Sequence, residues 1–332
     1  MKKILSVILL IAAFFLSLAL GAEKLSLAAL IGQGDKFENI ILWKLRLPRS
    51  TLVLLTGILL GGSGAVFQLF FRNPLAEPGI MGISSGATLG AVIATIILSA
   101  LPELPPFLTQ TVFKFISPIN FCAFAGALAA GLFVTALAFS RAGKSSSIML
   151  LLCGTALGTL YSAISSAILL TSNKELHSIY TWILGSFNGR GWKELIFILI
   201  PSAVSLIIML CIARPLDLLS CGEKTAASLG VEVDRLRILV LVSGALAVSA
   251  GVCAGGTIGF VGLIAPHVVR KLHGPKSRSL IPMSMIFGAV LLLLSDTIAR
   301  IVIIPGELPA GIITSILGVP FFISLCLTKK NS

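Results

Sequence analysis

Long apolar runs separated by short polar segments make up most of this chain. A transmembrane α-helix needs about 20 consecutive, mostly apolar residues, and runs of that order recur along the whole sequence. We predict ten spans, at 4–22, 51–71, 80–101, 118–139, 147–171, 194–213, 236–254, 256–269, 280–303 and 308–327. The eighth is short, and glycines separate it poorly from the seventh. The predicted fold is therefore an all-α polytopic bundle of about ten transmembrane helices, with residues 1–332 forming one domain.

The composition agrees with a membrane protein and excludes other classes. The chain is 56% hydrophobic and 11% charged, with a mean hydropathy of +1.05, and a soluble domain with so little charge would precipitate. The net charge of +12 does not indicate nucleic-acid binding, because the basic residues lie in short loops, where they act as orientation signals. The six cysteines show no CxxC spacing, so we expect no metal site, no disulfide framework and no cofactor.

Residues 1–22 combine two lysines, an apolar run and a small-residue end, which fits either a cleaved signal peptide or a retained first helix. With the N-terminus inside, Lys and Arg are more frequent in the inner segments. We therefore expect a multi-pass protein of the cell membrane with both termini in the cytoplasm. This orientation places Trp43, Trp182 and Trp192 near outer helix ends, where an aromatic belt is expected, and residues 214–237 inside.

The polar segment 214–237 is densely charged, and such a segment cannot lie in hydrocarbon. Ser220 followed by Glu223 predicts a capping box, and Gly230 stands where a helix C′ glycine is expected. The short helix between them carries a small apolar face formed by Ala226, Ala227 and Leu229. This helix is either a docking element for a cytoplasmic partner or a solvated loop helix without one.

The loop after the second span reads Arg72-Asn73-Pro74-Leu75-Ala76-Glu77-Pro78-Gly79, and its two prolines and glycine break the helix. It is either a turn at the inner surface or a constriction at the inner end of a transport pathway, since broken backbone at membrane depth is tolerated where it lines a cavity. In both cases Asn73 and Glu77 need water or protein partners.

Two further motifs are less specific. A G-x-S-x-G sequence at 82–86 matches the nucleophile elbow of serine hydrolases, with His267 as the base, but the elbow requires a preceding strand and this stretch opens an apolar helical run. We interpret it as a helix start. Small residues four positions apart predict close helix packing at three pairs, Gly57 and Gly61, Gly154 and Gly158, and Gly255 and Gly259.

Three arginines near outer helix ends oppose the positive-inside bias. Arg46 and Arg49 precede the second span, and Arg300 lies near the end of the ninth. Arg300 follows Asp296 by four residues, so one interpretation of Arg300 is an intrahelical ion pair. The corresponding interpretation of Arg46 and Arg49 is that their side chains snorkel to the membrane interface. Together the three also form a basic rim that suits an acidic partner arriving from outside.

Several blocks of the sequence resemble one family. They are RLPRSTLVLLTGILLGGSGAVFQLFFRNPLAEPGIMGISSGA (46–87), Trp182-x-x-Gly185 with Trp192, Gly222-Glu223-x-x-Ala226-x-Ser228-Leu229-Gly230, GGTIGFVGLIAPHVVR (255–270), and Asp296-x-x-x-Arg300 followed by GELPAGIITSILGVPFFISLCL (306–327). Spread over nearly the whole chain, they closely resemble the FecCD-type permeases of ABC importers, which include the cobalamin permease. The resemblance implies a cobalamin-permease-like bundle of ten helices in which the first segment is retained.

The resemblance also implies partners and cargo. Family members are homodimers in the lipid bilayer, with the pathway between the two copies, two cytoplasmic ATP-binding subunits and an extracytoplasmic substrate-binding protein. They import ferric siderophores, haem and cobalamin, so the chain is expected to move such a metal chelate into the cytoplasm by alternating access. The separate subunits hydrolyse ATP, and the chain itself is expected not to be an enzyme.

Individual positions take roles from the same resemblance. Glutamates of the binding protein are implied to pair with Arg46, Arg49 and Arg300. The inner gate is implied to lie at Asn73, Leu75 and Ser147. The coupling helix that meets the ATPases is implied to lie at about 221–230, where the matching residues are Gly222, Glu223, Ala226, Ala227, Ser228, Leu229 and Gly230.

Two rival functions are an ion-coupled secondary transporter and an intramembrane hydrolase. The first needs ionisable groups near the midplane, where Asp296 beside Arg300 comes closest. The second is disfavoured by the placement of Ser84 and His267. Neither explains a helical cytoplasmic segment together with a basic outer rim.

Overall fold

The computed structural model describes residues 2–21, 23, 25–26, 34–100, 117–140, 147–171, 176–304 and 306–328. These residues form helices and contain no strand. The helices are α1 (Lys2–Ala19), α2 (Lys36–Ile40), α3 (Leu47–Phe70), α4 (Ile83–Ala100), α5 (Pro118–Ser140), α6 (Ser147–Thr171), α7 (Leu176–Ile183), α8 (Trp192–Cys211), α9 (Ala213–Ser220), α10 (Glu223–Ser228), α11 (Val233–Gly255), α12 (Val261–His273), α13 (Ser277–Ile301) and α14 (Ala310–Thr328). A π-helical turn, Ile41–Arg46, joins α2 to α3, and a 3₁₀ turn, Pro78–Met81, precedes α4.

Each of the ten predicted spans corresponds to one main helix. Among the described residues, seven helices are long and apolar enough to cross a membrane: Lys2–Ala19, Lys36–Phe70, Pro118–Leu137, Met149–Leu170, Trp192–Cys211, Val233–Gly255 and Ser277–Ile301. Shorter apolar helices cover 83–98 and 310–325, and the predicted eighth span is the 13-residue α12. At 1.5 Å per residue α12 is about 20 Å long, less than the hydrocarbon core of about 30 Å. The all-α polytopic fold is confirmed.

The second span begins earlier than predicted. The prediction started it at residue 51, but the helix is continuous from Lys36 to Phe70. Pro48 would normally interrupt a helix, because its ring clashes with the carbonyl group four residues earlier. The π-helical turn lies directly before Pro48 and locally changes the hydrogen-bond register, which is how helices commonly accommodate such a break. Arg46 and Arg49 are therefore helical residues rather than loop residues.

The central helix of the bundle is α3, which packs against α8, α11, α12 and α13. Glycines allow its closest approach to α13. A Cβ added at Gly57 would lie 2.6 Å from the carbonyl oxygen of Gly288, and one added at Gly61 would lie 2.2 Å from that of Ser284. The backbones of the two helices are thus in direct contact, and the predicted packing role of this glycine pair is confirmed.

The other two glycine pairs differ. Gly154 and Gly158 on α6 face Gly82, where an added Cβ would lie 2.9 Å from the carbonyl oxygen of Gly154, so this pair also packs closely. Gly255 ends α11 against the ring of Phe187, whereas Gly259 follows in a non-helical segment with no atom within 4 Å of an added Cβ. The packing prediction is wrong for Gly255 and Gly259 as a pair, because the helix ends between them.

The tryptophans do not all lie in one belt. Trp43 and Trp192 are 56% and 45% exposed, and the indole N–H of Trp192 donates to the carbonyl of Trp43 at 3.3 Å. Trp182 is only 7% exposed, and the turn at Gly256 lies against its backbone carbonyl. The aromatic-belt prediction is therefore wrong for Trp182.

Candidate functional site

The three predicted docking arginines lie at one end of the bundle and line the same groove, of about 760 Å³. We call it the arginine groove. Its charged lining consists of the cations Lys44, Arg46, Arg49, Arg190, Lys193 and Arg300 and the carboxylates Glu23, Glu194 and Glu307. Cations outnumber carboxylates, so the groove carries a positive potential that attracts acidic surfaces.

Asp296 is the anchor of this end of the bundle. It is fully buried, and its Oδ1 accepts from Arg49 Nη2 at 2.8 Å and Nε at 3.3 Å. Its Oδ2 lies 3.2 Å from Arg300 Nε, which confirms the predicted intrahelical ion pair. Arg49 Nη1 also donates to Glu307 at 2.7 Å, and Arg300 Nη2 donates to the backbone of Ser17 at 2.9 Å. The sequence did not predict the two partners of Arg49, because they are 247 and 258 residues away.

Arg46 is held by backbone rather than by a carboxylate. Its Nη1 donates to the carbonyl groups of Leu18 at 2.9 Å and Ala19 at 2.8 Å, and its Nη2 donates to the carbonyl of Glu23. The first two carbonyls belong to the C-terminal end of α1, where unpaired carbonyl groups and the helix dipole favour a cation. The guanidinium therefore fastens α1 to the start of α3.

Internal contacts bury the three arginines: the exposed fraction is 6% for Arg46, 9% for Arg49 and 3% for Arg300. They do not snorkel freely to the interface. A protein that enters the groove would meet the edges of these guanidinium groups and the exposed ammonium-bearing side chains of Lys44 and Lys193.

The predicted gate loop lies at the other end of α3, about 36 Å from its first residue by helical rise. Arg72 adopts φ 49°, and its guanidinium donates to the carbonyl of Leu219 at the end of α9. Asn73 Oδ1 accepts the N–H of Leu75 at 3.0 Å, which closes the turn. Ser147 is the first residue of α6, and its side chain lies outside the described part of the chain. The loop is thus attached to the segment that carries α10.

The predicted coupling helix is α10, and glycines bound it on both sides. Gly222 precedes it with φ 118°. At the other end the N–H of Gly230 donates to Ala227 and that of Val231 donates to Ala226, both at 3.0 Å, which is a Schellman motif. Gly230 has φ 87°, the left-handed conformation that this motif requires and that glycine adopts without strain.

The small apolar face of α10 is divided between the bundle and the exterior. Ala226 is fully buried, whereas Ala227, Ser228 and Leu229 are exposed, Leu229 by 59%. Glu223 Oε1 lies 3.5 Å from Arg237 Nη2, so the first turn of α10 is tied to α11. The helix is therefore positioned by the bundle and presents its other side outward.

The predicted capping box at Ser220 is wrong. Ser220 is the last residue of α9, and its Oγ donates to the carbonyl of Asp217 at 2.6 Å. The glycine at 222 lets the chain reverse before α10, so the residue that precedes the first helical turn is Gly222.

A cavity of about 610 Å³ lies between α3, α4, α11 and α14, and its polar lining consists of Ser63, Glu77, Ser84, Thr257 and Ser315. Glu77 belongs to the loop between α3 and α4 and is the one carboxylate among the described residues that line the cavity. Burial raises the pKa of Glu77 to about 7, and a hydrogen bond from the backbone of Phe260 opposes that rise. Phe260 supplies the partner that the sequence requires for Glu77.

The hydrolase interpretation finds no support in this geometry. Ser84 opens α4 behind the 3₁₀ turn Pro78–Met81, at the place where the elbow requires a strand. His267 lies in α12 and packs edge-on against Phe321, with ring centroids 5.5 Å apart. Within the described ranges, no three His, Cys, Asp or Glu side chains are grouped so that they could hold a metal ion.

An apolar bundle with an internal cavity, a cationic groove at one end and an exposed short helix at the other has the architecture of a membrane permease. Sequence comparison places the chain more narrowly. It belongs to the FecCD transport family, whose sequence model matches residues 9–328, and it is a permease subunit of an ABC importer.

Several characterised relatives span nearly the whole chain. The vitamin B12 import system permease BtuC of Citrobacter koseri is 39% identical over 307 residues, covering 91% of this chain and 88% of the relative. The Fe(3+)-citrate import system permease YfmE of Bacillus subtilis is 36% identical over 327 residues, covering 97% and 93%. A solved structure of an ABC transporter in an inward-facing conformation superposes with a TM-score of 0.84 at 32% identity, covering 99% of this chain and all of that one.

Proposed function

We propose that this permease imports a ferric chelate, of the siderophore or citrate type, with haem and cobalamin as the related alternatives. The observation that supports the proposal is that the cationic arginine groove and the exposed side of α10 lie at opposite ends of the bundle, with the 610 Å³ cavity between them. The relatives named for Fe(3+)-citrate and vitamin B12 import support a metal chelate as cargo.

Three kinds of partner complete the importer. A binding protein delivers the chelate to the arginine groove from outside, with acidic side chains facing Arg46, Arg49 and Arg300. Two ATP-binding subunits dock on α10 from the cytoplasm, where the distribution of Lys and Arg also places both termini. A second copy of the chain lies across the pathway. Support for the second copy comes from α6 and α14, whose Leu152, Leu160 and Ile316 are at least half exposed.

The gate acts between these surfaces. Closure of the ATP-binding subunits moves α10 with α9, and the contact of Arg72 with Leu219 passes that movement to the loop that carries Asn73 and Leu75. Ser147, the first residue of α6, is the third position proposed for the gate. The chain itself breaks no bond and only changes which side the cavity opens to.

Reconstituted transport tests the proposal directly. Proteoliposomes that contain the permease, its ATP-binding subunits and the binding protein encoded beside it should take up radiolabelled ferric citrate or a ferric hydroxamate only when ATP is supplied to the side of the ATP-binding subunits. Parallel assays use haem and cobalamin. Uptake of cobalamin with no uptake of either ferric chelate would overturn the cargo, and uptake driven by an ion gradient without ATP would overturn the mechanism.

Charge reversal in the arginine groove should weaken docking of the binding protein. We expect Lys44→Glu with Lys193→Glu to reduce its affinity roughly tenfold at low salt, because both side chains are exposed in the groove and carry charge that steers an acidic partner. The loss of affinity should be smaller at high salt, because salt screens the charges. Lys36→Glu reverses one exposed charge on α2 outside the groove and is the matched control for each of the two single reversals, Lys44→Glu and Lys193→Glu. Equal capture by the double variant and the control would contradict the docking assignment.

A charge on α10 should uncouple ATP hydrolysis from transport. Ala227→Glu places an unpaired carboxylate on the exposed side of the helix, and burying it under a partner should reduce ATP-driven uptake about tenfold or more. Ser220→Glu adds the same charge at the exposed end of α9 and serves as the control. The measurement is uptake per ATP hydrolysed, with co-purification of the ATP-binding subunits. Normal uptake by Ala227→Glu would show that α10 is a solvated loop helix.

A further inference from the structure

A second cavity, of about 400 Å³, lies beside the arginine groove and has no role in the proposed transport function. It is bounded by α4, the first turn of α5, α7 and the loop 184–191. Asn188, Gly189 and Arg190 line both this cavity and the arginine groove, so the two spaces are neighbours at the same end of the bundle. We call it the α5 pocket. Its volume falls in the range of about 300–1,000 Å³ that holds small molecules.

The first turn of α5 contributes a helix N-terminus to this pocket. Ser117, Ile119 and Asn120 line it, and Pro118 occupies the first helical position. The first hydrogen bond of the helix runs from the N–H of Phe121 to the carbonyl of Ser117, at 3.0 Å. The N–H groups of Ile119 and Asn120 precede that bond and have no partner within the helix, so they add to the positive end of its dipole.

Two buried polar side chains that line the pocket have no hydrogen-bond partner among the residues that the structure describes. Asn120 is fully buried, and neither its Nδ2 nor its Oδ1 is paired. Trp182 is 7% exposed, and its Nε1 is unpaired as well. A buried donor left without a partner costs about 1–3 kcal/mol, so such groups are normally satisfied by protein, water or a ligand. Two of them on one cavity wall point to an occupant.

Arg190 adds a cation whose charge is poorly compensated. Its Nη1 is 4.0 Å from Glu194 Oε1, which is the outer limit of an ion pair, while Glu194 Oε2 accepts the N–H of Gly191 at 2.9 Å. Burial lowers the pKa of the Arg190 guanidinium, because desolvation outweighs the attraction of Glu194. No Asp or Glu is among the described residues that line the α5 pocket. The pocket therefore offers donors and positive charge, and Glu194, the anion beside Arg190, is not part of its described lining.

We propose that the α5 pocket binds an organic carboxylate, with Arg190 facing the carboxylate group and the side chains of Asn120 and Trp182 and the first turn of α5 donating hydrogen bonds to it. The unpaired Oδ1 of Asn120 can in turn accept from a hydroxyl group, which favours a hydroxycarboxylate. The carboxylate comes either from a free small molecule or from an acidic side chain of a protein docked in the neighbouring groove. The site stands on this geometry alone and does not depend on which chelate is transported.

Citrate is the probe for a direct binding experiment. Titration calorimetry on the full chain in lipid nanodiscs should detect citrate binding, and Arg190→Met and Asn120→Leu should each weaken it about tenfold or more, since each removes hydrogen bonds to a charged ligand. Arg190→Lys, which keeps the charge, should lose less citrate affinity than Arg190→Met. Lys36→Met removes an exposed cation that lines neither space and should bind citrate as the unaltered protein does.

Capture of the binding protein distinguishes the two sources. Asn120 lines the α5 pocket and not the arginine groove, so Asn120→Leu is the variant used here. Capture that is insensitive to citrate and to Asn120→Leu indicates a free hydroxycarboxylate. Competition by citrate together with weaker capture by Asn120→Leu indicates an acidic side chain. Both results support the pocket. Absence of citrate binding to the unaltered protein, or equal binding by Arg190→Met and Asn120→Leu in correctly folded samples, would overturn it. Citrate binding is measured separately from ATP-driven uptake, so the absence of citrate binding would not contradict the proposed transport function.

Discussion

Replacing Asp296 with asparagine should destabilise the permease by about 3–5 kcal/mol, the cost typical of removing one partner from a buried ion pair. The carboxylate is fully buried and is shared by Arg49 and Arg300, so the substitution leaves two buried guanidinium groups without their common anion. The expected result is a lower thermal midpoint of the purified protein in detergent and a smaller amount of folded protein in the membrane.

Glu307→Gln is the matched control for this experiment. Glu307 also pairs with Arg49, but its side chain is 22% exposed, so water can compensate for the lost charge and the destabilisation should be well under that of Asp296→Asn. The double variant Arg49→Met with Asp296→Leu removes both charges and should be less destabilised than Asp296→Asn if the loss arises from unpaired charge. Equal stability of Asp296→Asn and the unaltered protein would show that the pair is not structural.

Gly64→Ala should also destabilise the permease, for a steric reason. A Cβ at this position would lie 1.9 Å from the carbonyl oxygen of Gly262 and 2.5 Å from its carbonyl carbon. These are backbone atoms, so α3 and α12 would have to move apart, and overpacking of this kind costs about 1–3 kcal/mol or more. We expect reduced folded yield and a lower thermal midpoint.

The control is a glycine of similar burial with room for a methyl group. A Cβ at Gly251 on α11 would lie 3.5 Å from its nearest neighbour, a side-chain methyl of Thr56, which is ordinary van der Waals contact. Gly251→Ala should therefore be neutral or slightly stabilising, since alanine favours a helix over glycine by about 1 kcal/mol. If both variants behave alike, the close approach of α3 to α12 is incorrect.

Features that depend on local sequence were predictable. Apolar runs located the main helices, because a bilayer requires about 20 apolar residues per span. Gly230 marked the end of α10, since the Schellman turn there needs a left-handed residue. The i,i+4 spacing of Asp296 and Arg300 gave their ion pair. In each case the interacting groups are a few residues apart in the chain.

Features that depend on how distant segments meet were not predictable. Arg49 finds its two carboxylates on α13 and in the loop that follows it, and no periodicity links those positions. The sequence did not single out Asn120, and nothing in it indicated that Trp182 would be buried; both become notable because folding buries them without partners among the described residues. Ser220 failed as a cap for the same reason, since the position of α9 against its neighbours decides where the chain turns.

Accessibility of two positions to a membrane-impermeant maleimide shows whether the arginine groove and α10 face opposite sides of the membrane. In a background without other cysteines, Lys193→Cys reports on the groove, and the exposed natural Cys221 reports on the turn before α10. The account predicts that Lys193→Cys is labelled in intact spheroplasts and Cys221 only in inside-out vesicles. Labelling of Cys221 from the exterior, or of both positions from one side, would contradict it.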